Sequence, residues 1–115
     1  FNAENFDPSN LFDSTTNFRY TPNIAGYYSV TATVLATGAP ITTLHVAVYK
    51  NGTAFANAVT VQSSTHLTVP INTIVDMNGS TDYIEIFVQT AGTTTAVAET
   101  AGVYTHFAAA LIEPT

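Results

Sequence analysis

Apolar and polar residues alternate along much of this chain with the period of two that belongs to a half-buried β-strand. From Tyr27 to Leu35, Tyr28, Val30, Ala32 and Val34 fall on one side, and Tyr27, Ser29, Thr31 and Thr33 on the other. Leu44, Val46 and Val48 repeat the pattern, as do Ile84, Ile86 and Val88. Each set predicts a strand that turns those residues to a core. A further aromatic strand is expected over Asn17 to Thr21, ahead of a corner at Pro22–Gly26. Turn signals recur at Asp7-Pro8, Pro22-Asn23, Gly38-Ala39-Pro40, Asn51-Gly52, Asn78-Gly79, Ala91-Gly92 and Gly102. That spacing predicts an antiparallel all-β sandwich. Asn51-Gly52 is the strongest of these signals, because a two-residue hairpin turn needs positive φ at both positions.

The last strand breaks the alternation. Phe107, Ala109 and Leu111 are apolar, and so are Ala108, Ala110 and Ile112 between them. Antiparallel sheets usually leave one face to water, so a strand apolar on both faces needs cover on both. A loop of the same chain or a second subunit could supply it.

Composition points to subunits. Only 9% of the 115 residues are charged, against roughly 25% in ordinary domains. One domain spanning residues 1–115 is expected at this length, and so few charges cannot clothe its whole surface. Part of that weakly polar surface is expected to pack against other copies. The net charge is −6, with Arg19 and Lys50 the only strong bases. Binding to nucleic acid needs clustered cations that release counterions from phosphate, and two isolated ones exclude it. No apolar run reaches the ~20 residues of a membrane span, so membrane insertion is not expected. Without cysteine there are no disulfides, thiolate metal sites or cysteine nucleophiles.

Candidate chemistry is thin. His45, His66 and His106 lack metal-ligand spacing. One copy of His106 from each of three subunits could meet on an axis, but a surface or contact role is the expectation. Asp76 and Asp82 flank Asn78-Gly79-Ser80, fall in no calcium-loop motif, and as turn residues can bond nearby amides. No nucleophile elbow, phosphate loop or dinucleotide fingerprint occurs. The chain is therefore read as a non-enzyme without a cofactor or metal site.

Four blocks resemble the complement component 1q globular-head and tumour necrosis factor-like family. They are the stretch from Phe12 to Thr31 with its Pro22–Gly26 corner followed by Tyr27 and Tyr28, Val46-Ala-Val-Tyr-Lys-Asn-Gly52, Asp82-Tyr-Ile-Glu-Ile-Phe-Val88 and Phe107-Ala-Ala-Ala-Leu-Ile112. The chain departs from the family pattern at Val75 to Asp82, which makes a longer turn, and at Ala109, where the family has Gly. The resemblance implies a ten-strand, two-sheet antiparallel jelly-roll sandwich assembled as a homotrimer. It also implies that the last strand lies centrally in the inner sheet, with neighbouring subunits beyond it, and, since some members of the family bind calcium through loop carboxylates, it opens that alternative at Asp76 and Asp82. The expected trimer interface is Tyr27, Phe87, His106, Ala108, Ala110 and Ile112.

Such domains commonly cap fibrous stalks. The chain is thus expected to be excised from a longer phage or bacterial surface-fibre protein, at the virion surface or extracellular. It would trimerise a stalk and attach to a host-cell protein or glycan. The alternatives are a purely structural trimerisation or capsid-decoration module, and a secreted cytokine- or lectin-like binding module. Receptor contacts are expected in two polar loops, Ser63-Ser64-Thr65-His66 and Thr93-Thr94-Thr95, since loops on a rigid β-scaffold commonly carry recognition.

Overall fold

The computed structural model describes residues 1, 3–92, 95–97 and 104–115. Among them all regular structure is β-strand: β1 (Phe12–Asp13), β2 (Arg19–Tyr20), β3 (Gly26–Lys50), β4 (Thr53–Met77), β5 (Ile84–Gly92), β6 (Thr95–Val97) and β7 (His106–Pro114). β3 and β4 form a hairpin of two 25-residue strands. Its tip is the predicted Asn51-Gly52 turn, with φ of 51° and 78°.

A straight strand of that length would reach about 80 Å, yet the longest dimension of the molecule is 45 Å. The hairpin is therefore folded back on itself. Lys50 at its tip donates to the backbone oxygen of Asp76 at its base, at 2.6 Å. The fold occurs where the ladder between β3 and β4 shifts register, between Thr37 and Ile41 and again between Ile41 and Thr43. Gly38-Ala39-Pro40 lies there. This tripeptide was expected to separate two strands with a turn. It instead creases one continuous strand, because bulges bend a ladder without ending it.

The crease divides the antiparallel sheet into two arms. In the first, residues 26–37 of β3 lie between β7 and the base half of β4. In the second, residues 41–50 lie between β5 and the tip half of β4, and β5 continues through β2 to β1. The inner faces of both arms enter one core. Tyr28, Val30, Val34, Leu67, Val69 and Val75 come from the first arm, and Leu44, Val46, Val48 and Ile84 from the second. The predicted faces of β3 and β5 are thus those observed, in a curled antiparallel sheet compatible with a β-sandwich. Seven strands are described rather than ten, since β3 and β4 each serve both arms.

Two local expectations change. The strand predicted over Asn17 to Thr21 shrinks to Arg19–Tyr20. The Asp13 carboxylate accepts from the amides of Thr15, Thr16 and Asn17 at 2.9–3.0 Å, and Phe18 follows with φ of 54°. Those residues are spent on a turn. In addition, β7 is bonded to β3 alone among the described residues, so it is an edge strand and not the central one implied by the resemblance. Phe1 and Phe12 meet Phe107 of β7 through their rings, with centroids 5.3 and 5.1 Å apart, instead of extending the ladder.

The Pro22–Gly26 corner locks β7 in place. Pro22 is buried, and the Tyr28 hydroxyl donates to the Ile24 carbonyl at 2.8 Å. Gly26 is required by close approach: a Cβ there would collide with the Glu113 carbonyl oxygen and lie 2.8 Å from Leu111 Cδ1.

Candidate functional site: a neutral outer face

The ladder between β3 and β7 sorts the last strand's two apolar sets. Ala109 stands opposite Val30 and Phe107 opposite Ala32, on the core side. Ala110 stands opposite Ser29, Ala108 opposite Thr31 and His106 opposite Thr33, on the outer side. A register shift follows, so that Leu111 faces Tyr28 and Glu113 faces Tyr27. Ile112 falls inside this bulge and is 53% exposed.

The outer face continues across β3 onto β4, where Ile74 is opposite Ser29 and Asn72 opposite Thr31. Tyr27 is 45% and Ile74 59% exposed. The resulting surface is Tyr27, Ile74, Ala108, Ala110 and Ile112 among Ser, Thr and Asn, with His106 at one end and no Asp, Glu, Lys or Arg. Asp76 and Glu113, the ladder neighbours of Tyr27, stand at its border. Small side chains at Ser29, Ala108 and Ala110 leave this face low, so a flat partner can approach the backbone closely.

The fold brings together five of the six predicted interface residues: Tyr27, His106, Ala108, Ala110 and Ile112. It does not bring in Phe87, which lies on the outer face of the second arm, opposite Ala47 and against Tyr49 with ring centroids 4.4 Å apart. Alternation alone could not separate the two, because both residues point away from a core that the two arms share. Ile74 is the residue missed by the sequence reading. The signal was present: Ile74 is apolar at a position where Ile71, Val75 and Met77 have the opposite parity and face the core.

The predicted recognition segments are placed differently from expectation. Ser63 to His66 do not form a loop; β4 runs through them, with Ser64 opposite Ile41 and His66 opposite Thr37. Their Thr- and Ser-rich sequence suits a strand, and the bend they occupy is shared with β3. Ser64 Oγ accepts from the His66 amide at 3.2 Å, and Thr65 Oγ1 lies 3.1 Å from His66 Nδ1. Thr93 and Thr94 lie outside the described residues. Thr95 opens β6 opposite Gly38. Thr95 and His66 therefore flank neighbouring residues of β3, on its two sides, at the crease.

Asp76 and Asp82 do converge, and Lys50 stands between them. Its ammonium is 3.2 Å from Asp76 Oδ1 and 3.3 Å from Asp82 Oδ2. Asp82 also accepts from Asn51 Nδ2 at 2.8 Å and from the Asn78 amide at 3.0 Å. These bonds, the Asn51 one foremost, hold its carboxyl below the usual range against some desolvation. Desolvation pulls the Lys50 ammonium down, but its bonds to Asp76 and Asp82 outweigh that and leave it raised. The carboxylates thus clamp the hairpin tip to its base. His45, His66 and His106 lie on separate ladder rows, and no three metal-ligating side chains cluster among the described residues.

Neither the protein-family models nor the curated proteins compared with the chain give a match.

Proposed function

We propose that this chain is the trimeric head of a virion fibre or spike, or of a similar surface filament. It would trimerise a stalk through the outer face of its first arm and attach to a host-cell protein or glycan. The two arms would be the two sheets of a jelly roll. The observation that carries this reading is the neutral, largely apolar outer face around Ala108 and Ala110, on a chain with very few charges to keep it solvated. Exposed contiguous apolar patches mark interaction sites, and three copies round an axis would cover three such faces at once.

Attachment would then fall to the crease, where Ser63, Thr65 and His66 are exposed. A trimer would carry −18 (three times −6), so attraction to anionic polymers cannot drive contact. Hydrogen bonding repeated three times would gain by avidity instead. The test is adsorption of labelled protein to candidate host cells, comparing wild type with Ser63→Trp and Thr65→Trp at these exposed positions. The reading expects both variants to assemble normally and adsorb less. Unchanged adsorption would remove the crease from the site, and no adsorption by wild type to any host would leave the purely structural role.

A further inference from the structure

β4 borders both arms on one side, so the sheet ends on the other, at β7 in the first arm and at β1 in the second. Among the described residues no ladder joins these two edges, and none of residues 3–11 bonds to the β7 backbone. The rings of Phe1 and Phe12 meet Phe107 across the gap instead. A cleft of about 790 Å³ is left there, and it reaches the core at Tyr28. That size falls within the roughly 300–1,000 Å³ of small-molecule sites.

Six aromatic rings line the cleft: Phe1, Phe6, Phe12, Tyr20, Tyr28 and Phe107. Two carboxylates, Glu4 and Asp7, line it too, and neither Lys nor Arg does. Asp7 Oδ2 accepts from the Phe12 amide at 2.7 Å, while its Oδ1 and the Tyr20 hydroxyl take no hydrogen bond among the described residues. Burial foremost, then Tyr28 and Asp7, raises the Tyr20 phenol, so the Asp7 charge lies within reach of that hydroxyl.

We propose that this cleft binds an organic amine, with a primary ammonium group on an aromatic or alkyl body. The ammonium donates to Asp7 Oδ1 and to the Tyr20 oxygen, and the body lies among Phe12, Tyr28 and Phe107. Charge and shape select this class. An anion would meet two carboxylates and no strong base. A neutral apolar molecule would suit the rings but would desolvate Asp7 Oδ1 without giving it a donor, which costs free energy. An ammonium supplies the donor, and the faces of aromatic rings attract cations. Binding there requires neither the proposed assembly nor host attachment.

The test compares phenylbutylamine, phenylbutanol and phenylbutanoate, which carry one ring and chain with a cation, a neutral group and an anion. Each is titrated by ligand-observed NMR into wild type and Asp7→Asn. Asparagine keeps an acceptor for the Phe12 amide and removes only the charge. Wild type should bind the amine about tenfold more tightly than the alcohol, the worth of one charge-assisted hydrogen bond, and should not bind the carboxylate. Asp7→Asn should bind the alcohol as wild type does and lose most of the preference for the amine. No binding of the amine, equal binding of amine and alcohol by wild type, or an Asp7→Asn chain that keeps the full preference overturns the proposal. The wild-type comparison decides by itself if the variant does not fold.

Discussion

Replacing Asn51 by Ala tests the fold-back of the long hairpin. Asn51 sits at the tip with φ of 51°, a conformation that costs an alanine roughly 1 kcal/mol and that Asn tolerates. Its side chain also ties the tip to the start of β5. Oδ1 accepts from the Tyr83 amide at 3.0 Å, and Nδ2 donates to Asp82 at 2.8 Å. Each bond contributes about 0.5–1 kcal/mol net at this partly exposed site. The sum is about 2–3 kcal/mol, or about 10 °C in melting temperature at roughly 4 °C per kcal/mol for a domain of this size. Asn51→Gly keeps the permitted φ and loses only the bonds, so it should cost about half as much. Thermal unfolding by circular dichroism, at one fixed protein concentration because the proposed assembly would contribute, measures both. Equal losses for Ala and Gly would refute the conformational part. No loss for either would refute the clamp.

Three further predictions concern the proposed interface and pH. In the proposed trimer, Ala108→Glu or Ala110→Glu would set three equivalent charges in a closely packed contact, where unpaired buried charge costs several kcal/mol; assembly should fail, and a variant that sediments like wild type would show the face to be misassigned. Asp13 and Asp82 hold their carboxyls below the ordinary range, Asp13 chiefly through the amides of Thr16, Thr15 and Asn17. A carboxyl depressed in the folded state contributes stability that is present above its unfolded value near 3.9 and lost as pH falls through the folded one; melting temperature should decline below about pH 4, and Asp82→Asn should flatten that decline. Burial, with smaller contributions from Tyr28 and Asp7, pushes the Tyr20 phenol up to about 12. The unfolded chain therefore ionises first, and the stability held below pH ~10 is lost as pH rises toward 12; Tyr20→Phe should remove part of that loss in an alkaline melting series.

Much of the fold could be read from the chain because it is written locally. Strand faces follow from the parity of Val30, Val34, Val46, Val48 and Ile84, and the hairpin tip from two adjacent residues that accept positive φ. What could not be read depends on folding at a distance. Lys50 and Asp76 are 26 positions apart, and nothing near either one announces that the hairpin closes on itself. Gly38 to Pro40 and Ser63 to His66 have loop composition, yet β3 and β4 run on through them, with Gly38 paired to Thr95, Ser64 to Ile41 and His66 to Thr37. The candidate face was legible in β7, where Ala108, Ala110 and Ile112 break the alternation. It was not legible for Phe87, whose arm is turned away by the crease.

Sedimentation equilibrium of the wild-type chain at low micromolar concentration tests the central claim most directly. Three chains of 12.2 kDa make 36.6 kDa (three times 12.2), and a single species of that mass is predicted. A species of 12.2 kDa, with the face around Ala108 and Ala110 left bare in water, would contradict it.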